Sequence, residues 1–268
     1  MDTILTDDLL STFNFYNVPQ RIISLVPSQT ELLYDLGLEQ NIVGLTKFCV
    51  HPGHLKSEKK IVGGTKTVKY NLVENLKPDL IIANKEENTR EMVETLKQIA
   101  PVWVTNIKTL EDNQKMISDF GQIFQCEAVA SALIQKIQSA QSNLNRVIDA
   151  LSSPTVAYMI WKDPYMTVGA DTFIGEMLRL NQLINVYENL DRYPEIQLEE
   201  LVAIKPDVIM LSSEPYPFKA ADVARIQKLL PETRVLIVDG QMFSWFGTRP
   251  IKAFKYFSEI HAKRGYRQ

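Results

Sequence analysis

The chain has 268 residues, 45% of them hydrophobic and 23% charged, with a formal net charge of -3. That is the composition of an ordinary folded protein, long enough for one large domain or two moderate ones. It lacks the basic excess needed to hold a phosphate backbone, which excludes nucleic acid as a general partner. No apolar run approaches the roughly 18 residues of a membrane span, so membrane insertion is not expected.

Residues 1–20, MDTILTDDLLSTFNFYNVPQ, read as an acidic leader. Asp2, Asp7 and Asp8 stand where a secretory signal carries lysine or arginine, and no stretch is long enough for a signal's apolar core. A cytoplasmic location is therefore expected for the chain as written, with a periplasmic or cell-envelope location if a signal has been removed. Cys49 and Cys126 allow at most one bridge, so no disulfide framework is expected.

RIISLVP, residues 21–27, is a β-branched run ending in proline and predicts a buried strand. Ser28-x-x-Glu31 has the pattern of a capping box, opening a helix over TELLYDLGL with Gly37 at its C-terminal cap. NIVGLT predicts a second strand, Tyr70 to Leu76 a short helix, and Leu80 to Ala83 a third strand. A helix over Glu86 to Ile99 and a strand over Val102 to Val104 follow. Such alternation predicts a mainly parallel sheet.

Residues 111–153 read as helical, with a break near Gln125-Cys126. Leu133, Ile137, Ala140, Leu144, Val147 and Leu151 recur at steps of four and three, the apolar stripe of one long helix. Running from Glu127 to Ser152 it would measure about 39 Å, a strut more than a coiled-coil seam. After Pro154 the first pattern returns: strand TVAYMI, helix TFIGEMLRL, helix QLEELVAI, strand DVIML, a helix to Leu230, strand RVLIVD and a C-terminal helix.

Lys77-Pro78-Asp79 and Lys205-Pro206-Asp207 each close a helix and open an apolar strand. Aligning them sets Leu76 on Ile204 and Val73 on Leu201. The expected architecture is α/β: two similar lobes with mainly parallel sheets flanked by helices, at residues 21–110 and 154–268, joined by one long interlobe helix within 111–153.

Ligands of open α/β sheets gather at the carboxyl ends of the strands, and the loops there are aromatic. Trp161 and Tyr165 follow TVAYMI, Tyr216 and Phe218 follow DVIML, and Phe243, Trp245 and Phe246 follow RVLIVD, with Arg249 close by. Flat faces suit a large planar or amphipathic ligand, and an arginine suits its carboxylate, amide or phosphate. The structural alternative is that these rings only cover the sheet ends. Lys85, in the polar loop Asn84 to Thr89, is placed to reach a ligand, whereas Glu86 and Glu87 suit a helix N-terminus whatever the function.

Cys49-Val50-His51-Pro52-Gly53-His54 collects sulfur and imidazole, a metal-binding vocabulary. Three readings stay open: a metal site of Cys49, His51 and His54, a single imidazole facing a metal centre within the ligand, or a polar turn. The chain has no nucleophile elbow, P-loop or G-x-G-x-x-G. No catalytic residue and no intrinsic cofactor is expected. The rival reading is an enzyme using Cys49, His51 or His54 with Asp163 or Asp239 as carboxylate partner.

Five strings occur in order over residues 21 to 262: RIISLVPSQTELLYDLGL, IVGGTK followed by NLVENLKPDLIIA, VGADTFIGEMLRLNQLINV, IQLEELVAIKPDVIM and SWFGTRP. Together they resemble the class III, helical-backbone family of ABC-importer substrate-binding proteins, nearest to its cobalamin (vitamin B12)-binding and ferric-siderophore-binding members. The resemblance implies a non-catalytic monomer that captures a small metal chelate, a corrinoid or a ferric-siderophore or haem-type ligand, in a cleft between lobes. An ABC-importer permease is the implied partner.

By the same resemblance, His51 falls where B12 binders carry a ligand-touching aromatic. Thr65-Lys66-Thr67-Val68-Lys69 occupies the region of their stacking tryptophan, a departure. Glu199 matches the family's acidic permease-docking residue in the second lobe. Its first-lobe counterpart is Asn71, with Glu74 one turn away as a substitute. The alternative is an intracellular corrinoid or metal-chelate carrier not coupled to a transporter.

Overall fold

The structure, a computed structural model, describes residues 3–262. Residues 1–2 of the expected leader and 263–268 of the expected C-terminal lobe lie outside the described residues. Two units are present, one of Met1–Ile107, Glu111–Lys136 and Phe246–Thr248, the other of Lys108–Leu110, Ile137–Trp245 and Arg249–Gln268.

The first unit begins with an antiparallel hairpin, β1 (Thr3–Thr6) and β2 (Thr12–Phe15). Its main sheet comprises β3 (Ile22–Ser24), β4 (Ile42–Thr46), β5 (Lys60–Gly63), β6 (Leu80–Asn84) and β7 (Val102–Thr105), all pairs parallel, in the order β5-β4-β3-β6-β7. Helices α1 (Pro27–Asp35), α2 (Leu55–Glu58), α3 (Tyr70–Asn75), α4 (Arg90–Leu96) and α5 (Leu110–Ile123) flank these strands in sequence. Every residue of β6 is buried, as expected where helices cover both faces of a parallel sheet.

Residues 3–15, read from sequence as a leader, belong to this folded unit. Phe13 and Phe15 pack on Trp103 of β7, with ring centroids 5.1 and 6.1 Å away. Buried Asp7 fastens the hairpin to the sheet edge: Oδ2 accepts the Val104 N–H at 3.2 Å, and Oδ1 accepts Leu9 and Ser11 N–H at 3.0 and 2.8 Å.

Helix α1 starts at Pro27, not after Ser28, and carries no side-chain cap. Proline preorganises the first helical position and its missing N–H costs nothing there. Ser28 and Glu31 are buried instead of capping at the surface. Gly37 does take the left-handed conformation expected of it, at φ 83°. One continuous helix, α6 (Glu127–Ile148), carries the chain from the first unit to the second. Its buried stripe runs through Leu133, Ile137, Leu144 and Ile148, while Val147 is exposed. The 3.6-residue period had drifted by one position there.

The second unit contains β8 (Thr155–Trp161), β9 (Met166–Thr167), α7 (Phe173–Leu180), β10 (Ile184–Asn185), α8 (Leu198–Ile204), β11 (Val208–Ser212), α9 (Ala220–Leu229), β12 (Arg234–Val238), α10 (Gln241–Ser244) and α11 (Arg249–Ala262). Parallel strands follow the order β10-β8-β11-β12, and β9 pairs antiparallel with β8. The short strands β5, β9 and β10 had no sequence expectation, being too brief to show a period.

The two Lys-Pro-Asp segments do the same work in each unit. Lys77 and Lys205 both adopt left-handed backbone, φ 45° and 52°, directly after a helix. Asp79 then accepts the N–H groups of Gln20 and Arg21 at 2.7 and 2.9 Å, just ahead of β3. Asp207 accepts the N–H and hydroxyl of Thr155 at the start of β8, both at 2.7 Å. The registers match too: Ile22 pairs with Leu80, and Val156 with Val208. In each parallel sheet the first strand in chain order, β3 or β8, lies between partners on either side, the switch point where open sheets bind ligands.

Candidate functional site

In the second unit, Trp161 ends β8 and is 39% exposed. Its ring meets Tyr216 edge-on at 5.7 Å, and Tyr216 meets Phe218 at 4.8 Å. Phe218 and Tyr165 are buried in the apolar core around β8 and β11. Of these four aromatics, Trp161 is exposed and Tyr216 is half-buried against that core, whereas Tyr165 and Phe218 are buried in it.

A second group forms around Trp245, between α10 and α11. Its indole Nε1 donates to Glu214 Oε1 at 2.9 Å, and Ser244 Oγ donates to the same oxygen at 3.0 Å. The Arg249 guanidinium lies over the Trp245 ring, 4.8 Å from a centroid. Both residues are buried. The ring is thus held at its N–H edge by a carboxylate and on its face by a cation.

Glu214 follows β11 and was missed in the sequence, where it is one acid in a polar loop. Ser212 Oγ receives the Tyr158 hydroxyl proton at 3.2 Å and donates to the Glu214 carbonyl at 2.5 Å. Gly240 permits this approach: a Cβ there would collide with the Ser212 hydroxyl and come within 2.7 Å of Glu214 Cγ. Burial pushes the Glu214 carboxyl above its usual range, and the hydrogen bonds from Ser244 and Trp245 hold it back. The same low-dielectric setting pushes the Tyr158 phenol up strongly, so it acts as a neutral donor.

In the first unit, Lys85 is exposed directly after β6, its N–H bonded to the Thr105 carbonyl at 2.8 Å. The surrounding loop is tied by Asn84 and Asn88: Asn84 Oδ1 accepts the Glu86 N–H at 2.9 Å, and Asn88 Nδ2 donates to the Thr65 carbonyl at 2.8 Å. His51 is half-buried after β4, and Phe246 is buried within this unit. Glu74 on α3 and Glu199 on α8 are exposed, each on the helix that precedes a Lys-Pro-Asp turn.

Cys49 and His54 part company. Cys49 is fully buried, its sulfur receiving the Thr30 hydroxyl at 3.0 Å and touching the Thr46 hydroxyl at 3.3 Å. Burial pushes the thiol up, which keeps it protonated and a poor metal ligand. His54 stands at the surface with Nε2 2.6 Å from Glu39 Oε1.

Two α/β units, each built on a parallel sheet and linked through one helix, with aromatic and cationic side chains near strand ends, define the class of two-unit α/β binding proteins. A family model described as periplasmic binding protein matches residues 22–232. The chain belongs to that family.

Among its relatives is an uncharacterized ABC transporter substrate-binding lipoprotein of Bacillus subtilis (strain 168), 29% identical over 202 residues, which cover 72% of this chain and 63% of the relative. A vitamin B12-binding protein of Vibrio campbellii (strain ATCC BAA-1116) is 25% identical over 207 residues, covering 76% of this chain and 75% of the relative. Among solved structures, an apo periplasmic heme-binding protein from Roseiflexus sp. RS-1 has the same fold, with a TM-score of 0.79 at 18% identity over 91% of this chain and 98% of its own.

These relatives correct the expected cytoplasmic location. A lipoprotein and a periplasmic family point to an extracytoplasmic protein. The expectation had rested on the acidic first twenty residues, and residues 3–15 prove to be a hairpin of the folded unit, whose composition answers to packing and says nothing of export. Among the described residues no helix is long and apolar enough to cross a membrane.

Proposed function

We propose that this protein is the non-catalytic solute-binding component of an ABC importer and that it captures a corrinoid or a haem-type or siderophore-type iron chelate. The observation that carries the reading is the pair of ring groups at the carboxyl ends of parallel strands, Trp161 with Tyr216 and Trp245 under Arg249. Broad conjugated or amphipathic ligands bind well to rings whose positions are already fixed, because little side-chain entropy is lost on binding. Arg249 supplies the positive charge for a propionate, amide or phosphate at the ligand's edge. Within the first unit, taken by itself, His51, Lys85 and Phe246 are the proposed ligand contacts. The names of the B12-binding and heme-binding relatives support both ligand types, and the departure at Thr65 to Lys69 weighs toward the iron chelates.

The test is a titration of the purified protein with cyanocobalamin, hemin and a ferric siderophore, followed by tryptophan quenching and ligand absorbance. One of the three binding in the micromolar range or tighter supports the reading; none binding at about 100 μM, roughly 5 kcal/mol of affinity, overturns it.

Glu199 and Glu74 are assigned to permease docking, as exposed carboxylates on the two corresponding helices. Charge reversal at each, Glu199→Arg and Glu74→Arg, should lower the stimulation of the importer's ATPase without altering ligand affinity. A loss of ligand affinity instead would refute the docking role.

A further inference from the structure

The string from Cys49 to His54 raises a metal question that the binding site does not absorb. Folding takes the string apart and assembles a different group. Cys49 goes to the interior, while the His54 side chain stays 41% exposed beside two carboxylates from separate segments. Glu39 opens a single 3-10 turn, Glu39–Asn41, shortly after α1. Glu58 is the last residue of α2, four positions beyond His54. Because His54 already has helical backbone, φ -68° and ψ -30°, its side chain and that of Glu58 share a face.

One ligand atom from each of Glu39, His54 and Glu58 lies within 4.8 Å of the other two. Tyr34 of α1 sets its ring edge-on to the imidazole at 5.7 Å and steadies the imidazole plane. Among the described residues, neither Glu39 nor Glu58 forms an ion pair with a lysine or arginine. Two carboxylates therefore converge on one imidazole, and neither is taken up by a lysine or arginine.

We propose that Glu39, His54 and Glu58 form a surface site for a first-row divalent transition-metal ion, with Zn2+ as the reference ion. One imidazole nitrogen and two carboxylate oxygens are the mixed donor set of zinc and its neighbours, whereas calcium and magnesium take oxygen alone. Three protein ligands leave a coordination position to water. Binding exchanges the Glu39–His54 hydrogen bond for two metal bonds and neutralises the paired carboxylates. The ion then ties α2 to the turn after α1, and so brackets the segment from Lys47 to Gly53 that holds His51. The site stands apart from the proposed ligand function and is tested without it.

Chelator-treated full-length protein is titrated with Zn2+ by calorimetry and with Co2+ by its visible absorption. The expected result is one equivalent of each, with His54→Asn weakening Zn2+ binding by more than about tenfold and Glu58→Gln by about tenfold. Cys126→Ser should leave it unchanged. Zn2+ should raise the melting temperature of the parent chain but not of His54→Asn. Circular dichroism of the metal-free variants shows that each is folded. Unchanged Zn2+ affinity in folded His54→Asn, or no binding at millimolar Zn2+, would overturn the proposal.

Discussion

The Trp245 indole donates its N–H to Glu214 Oε1 at 2.9 Å, joining the helix end after β12 to the loop after β11. The indole is buried and the carboxylate half-buried, so the bond holds the ring at a fixed position. Glu214→Ala would leave a buried indole N–H without its acceptor, and should cost about 1 to 3 kcal/mol in urea unfolding. Glu214→Gln keeps an oxygen acceptor and should cost less. Equal losses in the two variants would show that the acceptor is not what matters.

Stability should also carry a pH signature of Glu214. Desolvation raises its folded value above the ordinary 4.5, against the hydrogen bonds that lower it. A group raised on folding binds its proton more tightly in the native state. Its stabilising contribution is therefore full below the unfolded value and is lost as pH rises through the folded one. The parent chain should lose stability relative to Glu214→Gln as pH increases from about 4.5 toward neutrality. Parallel urea melts over that window measure the difference, and a constant difference would count against a raised value.

Ring exposure separates two binding variants. Trp161→Ala removes a ring that is 39% exposed, so it should lower affinity for the bound chelate by about 1 to 3 kcal/mol and barely change stability. Trp245→Ala removes a buried ring, one of the donors to Glu214 and the aromatic face under Arg249, so it should reduce affinity and stability together. Affinity unchanged in folded Trp161→Ala would remove that ring from the site.

The Lys-Pro-Asp turns make predictions of opposite sign. Asp79→Ala and Asp207→Ala each delete two hydrogen bonds at a strand start, and should destabilise by about 1 to 2 kcal/mol. Lys205→Gly relieves left-handed backbone at φ 52° and should stabilise by up to about 1 kcal/mol, net of the unfolded chain's gain in freedom. Denaturation midpoints of the three variants test both signs.

Much of the fold was legible because it is written in local patterns. Parallel strands buried on both faces are continuous apolar runs, and β6 and β11 could be placed to within a residue or so. The stripe of α6 was visible for the same reason, since a helix packed along one face repeats every three or four residues. A strand of two to four residues shows itself only when it is buried throughout, as β3 and β7 are; β5 and the β1–β2 hairpin are partly exposed and β9 and β10 have two residues each, so these went unseen. The hairpin's role depends on Trp103 and Val104, nearly a hundred positions away.

The candidate site was half legible. Aromatic loops after strands marked Trp161, Tyr216, Trp245 and Arg249, because strand ends can be located from sequence. Nothing local distinguished Tyr165, which enters the core, from Trp161, which stays at the surface. Glu214 was invisible for a related reason: its partner lies 31 residues on.

From sequence alone came the α/β class, the duplication announced by two Lys-Pro-Asp turns, and the family resemblance, all carried by residues close together in the chain. The tertiary structure decided which polar groups are buried and which partners they meet. It sent Cys49 inward and left His54 with Glu39 and Glu58, although Cys49 and His54 are only five residues apart. Neighbours in sequence share a backbone direction for only a residue or two, so their surroundings, and with them their chemistry, are set by what folding brings beside each one.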